Sequence, residues 1–173
     1  MELFNINLVD PFVIKKISPE IPDSVDDALM AGFIIDVQEA FVETLLGCNL
    51  YNQILLEHSG NTLTTVNKYI YDRYIVKIIA KRVAIRTMYS SSYQFENGGI
   101  RVKESEQSRV ADSNEIVALK QFYESESDRL SKDLVNYINY HIEDYPLFYT
   151  STYYVCDCKT NSAFKTRIKI QGF

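Results

Sequence analysis

Tryptophan is missing from this chain, histidine occurs twice, cysteine three times and glycine only six times in 173 residues. Each scarcity removes a class of chemistry. His58 and His141 stand far apart in sequence, so neither a histidine-rich metal site nor an HExxH motif can be assembled from them. Three cysteines make no disulfide framework. Cys156 and Cys158, separated only by Asp157, cannot bridge each other without strain, so three reduced thiols are expected. Glycine is too sparse for a phosphate loop or a dinucleotide-binding turn. No apolar run reaches membrane-spanning length. The opening MELFNINLVDPFVIKKISPE has no basic stretch followed by an apolar core, so it does not resemble a signal peptide. A soluble protein made in the cytoplasm is expected, with no membrane partner.

What is present is an ordinary globular composition, 46% hydrophobic and 24% charged, in a chain the length of one domain. Tyrosine (13) and phenylalanine (9) are plentiful. Tyrosine has an apolar body and a polar tip, which suits surfaces buried only on assembly. Residues 1–22, broken by Pro11, Pro19 and Pro22, predict an arm with a short helical turn around Phe12 to Ile17. Ser24 and Asp27 have capping-box spacing. Leu29, Met30, Phe33, Ile34, Val37, Phe41 and Leu45 then recur at helical intervals. Gly47 is expected to end that helix as a left-handed cap, with Leu45, Leu46, Leu50 and Tyr51 buried around it. A short helix over 50–56 follows. A long one over about 64–89 is apolar on several sides and so is expected to be central. Asp112-Ser113-Asn114-Glu115 opens a last helix that Pro146 stops. Between the two long helices, alternation in YQFENGGIRV predicts a hairpin at about 93–102 turning at Asn97-Gly98-Gly99. The fold expected is mainly α: one domain over 1–173, with a helical bundle over 23–146, an inserted β-hairpin, the N-terminal arm, and a β-rich tail over 147–173.

The net charge of −5 is unevenly laid out. Residues 18–67 carry eight acids and no Lys or Arg; residues 68–103 carry eight bases against Asp72 and Glu96. Residues 104–145 are acidic again, with ten acids against four bases. Basic and acidic helices can exchange such charges inside one monomer for little net energy. Alternatively, opposite patches on one surface favour head-to-tail association of copies. The basic helix is also the most apolar, which argues against a dedicated DNA-binding domain.

No catalytic constellation stands out. Asp36, Glu39 and Glu43 share a helix face, but no histidine or further carboxylate joins them as a metal site. Arg82 falls among apolar positions and is expected to be buried with an acidic partner such as Glu39 or Glu43. No enzyme, no cofactor and no metal are expected.

FIIDVQEAFVETLLGCNLYNQILLE (33–57) resembles the first helices of head–tail connector, or adaptor, proteins of tailed bacteriophages, in particular those of Bacteroidetes-infecting, crAss-like phages. Val37-Gln38, Leu45-Leu46-Gly47 and Leu50-Tyr51 carry the likeness. It continues through the central helix, the Gly-centred linker Asn97-Gly98-Gly99-Ile100, and the last helix with Tyr123 and Tyr137 to Tyr145-Pro146. The arm LVDPFVIKKISPEIPDSVD fits as well, whereas the Cys156–Cys158 stretch matches nothing in the family. The resemblance implies a virion protein of the neck: a homo-oligomeric ring, commonly of twelve copies. It would lie between a portal protein and a further neck or tail protein, with the genome passing as non-specific cargo. On that reading the subunit or portal interface falls on Tyr93, Phe95, Asn97, Gly98, Gly99, Ile100, Arg101 and Val102, while Gly47 is structural. The alternative is a soluble helical protein-binding module acting as a monomer or dimer.

Overall fold

The structure, a computed structural model, describes residues 6–19, 21, 23–96, 99–102 and 113–148. It is mainly helical, and its organising element is α6 (Val76–Ser92). Ile78, Ile79, Ala80, Val83, Ala84 and Ile85 are all buried, which leaves no wide polar stripe on this stretch. A helix that is apolar nearly all round must be covered from several sides. Three helices supply that cover: α1 (Pro11–Ile17), α2 (Asp27–Val37) and α7 (Ser113–Tyr140) all pack on it. α7 faces it with Tyr123, Leu134 and Ile138, and α2 with Met30 and Ile34 in the same core. The central position expected of this helix is where the structure places it.

Two long rods each contain one wide turn. The first runs from α2 through a π-helical turn (Gln38–Val42) into α3 (Glu43–Leu46); the second runs from α5 (Thr65–Ile70) through another (Tyr71–Ile75) into α6. In each the closing bond spans five residues, Glu43 N–H to Gln38 carbonyl and Val76 N–H to Tyr71 carbonyl. Such turns insert one residue and re-aim the side chains around them. Both open on the side chain that holds the N-terminal arm. The Gln38 amide accepts from Leu8 N–H (3.0 Å) and donates to the Ile6 carbonyl (2.6 Å). Tyr71 donates its hydroxyl proton to the Leu8 carbonyl. The arm's buried backbone groups, which would cost about 1–3 kcal/mol each if left unpaired, are thus satisfied by side chains rather than by a sheet. Leu8 and Val9 are thereby seated in the core.

Helix ends follow local chemistry, with two departures from the sequence pattern. The cap of α2 is Asp26, accepting from Ala28 N–H at 2.8 Å, rather than Ser24. Asp26 lies directly before the first helical residue, so its carboxylate reaches the second free N–H. α7 ends at Tyr140, six residues before Pro146. His141 leaves helical geometry (φ −111°, ψ 37°), and a 3₁₀ turn (Ile142–Asp144) follows. Thr64 caps α5, accepting from Asn67 N–H at 3.3 Å. Glu57, near the end of α4 (Cys48–Ser59), accepts from Thr64 N–H (3.0 Å), Asn67 (2.9 Å) and Gln53 (2.8 Å) and so ties α4 to α5. Burial alone would raise the Glu57 pKa, but those hydrogen bonds override it and hold it below the ordinary range.

Gly47 joins α3 to α4 at φ 78°, ψ 150°. The positive φ is as expected, but the conformation is not the left-handed helical one; it is the mirror-extended region that only glycine occupies comfortably. It allows an abrupt change of direction: Gly47 N–H closes α3 on the Glu43 carbonyl at 2.9 Å, and its own carbonyl accepts from Tyr51 at 3.0 Å. Around it Leu46, Leu50 and Tyr51 are buried, and Leu45 is partly buried against the same core. Cys48 is disulfide-bonded, which corrects the expectation of a reduced thiol there.

After α6 the backbone of β1 (Tyr93–Glu96) pairs antiparallel with β2 (Gly99–Val102), Tyr93 opposite Val102 and Glu96 opposite Gly99. Asn97, Gly98, the cap expected at Asp112 and the tail from 149 onward lie outside the described residues.

The Gly47 geometry carries a direct consequence. Gly47→Ala is expected to lower stability by about 1–3 kcal/mol, read as a shift of several degrees in thermal melting. An unchanged melting curve would contradict the strain assigned to this turn.

Candidate interaction surface

At one end of the bundle, where α5 begins and α7 finishes, tyrosines gather. Tyr69 stacks on Tyr137 with ring centroids 4.9 Å apart, and Tyr74 lies 6.0 Å from Tyr137. His141 sits 4.5 Å from Tyr137 and 5.0 Å from Tyr140. Beneath them Tyr145 is buried and donates to the Val66 carbonyl at 3.0 Å, closing the end of the chain's described part onto α5. The spacing explains the gathering. Tyr137 and Tyr140 stand three residues apart on one face of the last turn of α7, and His141, just past its end, is four residues from Tyr137. Burial, with Tyr69, Asp144 and Tyr74 nearby, raises the Tyr137 pKa, so this phenol stays neutral and serves as a hydrogen-bonding group.

The cluster is only half covered. Tyr140 is 85% exposed and Tyr69 42%, and Val66, Ile142 and Leu147 beside them are exposed too. Aromatic rings with polar tips, contiguous and uncovered, are the composition of protein–protein contact surfaces. Nothing in the sequence pattern alone marked this patch, because Tyr69 and Tyr74 reach it from one rod while Tyr137 and Tyr140 reach it from another. The i, i+3 pair Tyr137–Tyr140 beside His141 was the available signal.

The residues expected to form an interface lie in the segment that follows α6. Tyr93, Phe95, Gly99, Ile100, Arg101 and Val102 lie on the paired backbone of β1 and β2, and Asn97 and Gly98 are outside the described residues. The pairing puts Gly99 in a strand rather than in the turn.

Part of the charge layout resolves inside the monomer. Arg86 pairs with Asp36 at 2.6 Å, joining the basic helix to the acidic one. Arg82 lies over the Phe41 ring (4.0 Å to its centroid) and binds Ser127 (2.9 Å) and Asp128 (2.6 Å). Its partner is therefore Asp128 on α7, not Glu39 or Glu43. Lys81 stands over the Tyr123 ring at 4.4 Å. Among the described residues no group of His, Cys, Asp or Glu could hold a metal ion, and no helix is long and apolar enough to cross a membrane.

Residues 42–158, more than half the chain, match a family of unknown function, DUF6712. The chain belongs to the DUF6712 family. The matched span takes in the Gly47 turn, both β segments and the tyrosine cluster of this DUF6712 chain, and starts after the arm and α2. No curated protein and no solved structure matches it.

A histidine in the DUF6712 fold is also held away from its ordinary behaviour. His58 Nε2 is 3.1 Å from the Tyr71 hydroxyl. Because Tyr71 gives its proton to Leu8, the imidazole must donate at Nε2, leaving Nδ1 an unprotonated lone pair. That Nδ1 is buried without a hydrogen-bond partner among the described residues. Burial accordingly depresses the His58 pKa below 6.5. A depressed histidine stabilises the fold fully above the unfolded value and loses that contribution as pH falls below about 6.5 toward the folded one. Denaturant stability is expected to drop from pH 7 to pH 5, and His58→Gln, which can still donate to Tyr71, should flatten that slope. An equal slope in both proteins would contradict the assignment.

Proposed function

We propose that this protein is a structural subunit of a tailed-phage neck, a head–tail connector that assembles as a ring and performs no catalysis. The observation that carries the reading is the uncovered tyrosine cluster at the α5/α7 end. A closed core has no need of Tyr140 at 85% exposure, whereas a subunit that completes itself by packing on neighbours does. The likeness of residues 33–57 and of the later motifs to connector proteins gives that surface its context. The ring, commonly of twelve copies in such proteins, would sit between a portal protein and a further neck or tail protein and leave an axial channel for DNA. Its net negative charge suits a conduit to which the genome must not adhere.

In this reading β1 and β2 form a hairpin projecting between the two long helices. A two-stranded hairpin is marginal alone, and this one is proposed to lean on the adjacent subunit or the portal through Tyr93, Phe95, Ile100 and Val102. Arg101 lies within reach of an acidic neighbour in that arrangement. A β-rich tail beyond residue 148 would supply further surface to bury between copies.

The test is a deletion of residues 94–102, bridged by a short Gly-Ser link, imaged by electron microscopy with the portal of the same phage. The isolated monomer is expected to melt within a few degrees of the parent, while ring formation on the portal is lost. A deletion that unfolds the monomer, or one that leaves the rings intact, would contradict the role given to the hairpin.

A further inference from the structure

Among the six bases on the rod from α5 to α6, Lys68, Arg82 and Arg86 have ion-pair partners and Lys81 lies over the Tyr123 ring, and what remains is informative. Arg73 and Lys77 stand four residues apart, one turn along the same exposed face, and neither has an ion-pair partner among the described residues. They edge an open cleft of about 430 Å³ between this rod and α7, with Tyr74 and Leu130 half-buried in its lining and Arg129 on the far side. Arg129 is bridged to Glu126 at 3.1 Å and Asp133 at 3.2 Å, so it adds no free positive charge, and the two carboxylates outnumber it by one. The cleft is thus mixed in character: Tyr74 and Leu130 give it two apolar side chains, and Arg73 and Lys77 keep its net charge positive despite Asp133.

The complementary shape occurs elsewhere on the same chain. Lys15 binds the backbone carbonyls of Asp23 and Val25 and the Asp27 carboxylate, each at 2.8–2.9 Å, and so pins α1 to the start of α2. At the corner this makes, Phe12 is 70% exposed, and Val13 and Leu29 are exposed beside it. Four carboxylates, Asp10, Asp23, Asp26 and Asp27, flank these apolar residues in sequence against two lysines, Lys15 and Lys16. The Asp23 side chain makes no hydrogen bond among the described residues.

We propose that the cleft receives the α1–α2 corner of a second copy of this chain, with Phe12 seated on Tyr74 and Leu130 and Asp23 facing Arg73 and Lys77. The two surfaces belong to different elements, so each copy offers one and accepts the other. That is the head-to-tail geometry from which rings or filaments grow. The proposal rests on the ring reading above and names one of its contacts. An aromatic knob bordered by charge is also the arrangement in which a few residues dominate an interface.

Sedimentation velocity over a concentration series tests it, using the full chain and three exposed substitutions, Phe12→Ala, Asp23→Arg and Arg73→Asp. Each is expected to leave the melting temperature unchanged and weaken self-association about tenfold or more, as loss or reversal of a close interface contact does. The decisive arm is an equimolar mixture of Asp23→Arg with Arg73→Asp. In a head-to-tail array every contact in an alternating assembly then pairs opposite or unaltered surfaces, so association should return to within about threefold of the parent. Single variants that associate like the parent, a mixture no better than its components, or a parent that stays monomeric throughout would each overturn the proposal. Rings of the parent on a portal, imaged in parallel, separate the two readings. Their presence alongside a failed charge exchange discards the cleft alone, and their absence discards the ring.

Discussion

Six of the eight residues from Ile78 to Ile85 are buried, and the two that are not, Lys81 and Arg82, carry charge. The rest of the bundle is arranged around that constraint. A helix so apolar needs cover on nearly every side, and the cover must also accommodate two cations at its surface. α7 meets one with the Tyr123 ring and the other with Ser127 and Asp128, while Phe41 supplies a ring face for the Arg82 guanidinium. Aromatic faces accept cations without demanding a buried carboxylate. The side chain of Arg82 remains 26% exposed and that of Asp128 57%, so this pair fixes orientation more than it adds stability.

The second level of organisation is the seating of the arm. Residues 6–9 have no sheet to join, yet Leu8 is fully buried. Gln38 and Tyr71, each at the opening of a wide helical turn, provide the missing hydrogen-bonding partners from two different rods. The arm therefore bridges the rods and makes the N-terminal third one body with the central helix. Gly47 then turns the chain so that α4 returns toward α5, bringing His58 against Tyr71 (ring centroids 5.2 Å apart). Core, arm and turn are closed among themselves. What stays open is the outside: the tyrosine end, the Phe12 corner and the cationic cleft.

That division also explains what the sequence could reveal. The long helices were legible because their apolar residues recur at helical intervals, and the central one because it is apolar nearly all round. Gly47 was legible as a turn because glycine directly follows the apolar run. Its ψ was not, because the direction of the exit depends on where α4 packs. Both π-helical turns were hidden, since inserting one residue barely disturbs a 3.6-residue pattern over a short window. Arg82 was assigned to the wrong acid because several carboxylates lay at plausible spacing and only packing selects Asp128. The end of α7 was placed at Pro146, whereas the chain leaves helical geometry at His141, whose ring lies against Tyr137 and Tyr140. The tyrosine surface itself arises from two rods far apart in sequence. The assembly role given to β1 and β2 came from the resemblance, and it stands as a proposal together with the ring.

The central claim is that the folded body is complete in one copy and the aromatic end is completed by another. Residue-resolved hydrogen exchange on the dilute monomer and on the assembled form tests this most directly. Amides from Ile78 to Ile85 should be equally protected in both states, because their burial owes nothing to a partner. Amides around Val66 and Tyr69, and from Tyr137 to Leu147, should slow only on assembly. Protection of the central helix that appears only in the assembly, or an aromatic end whose exchange does not change, would contradict the account.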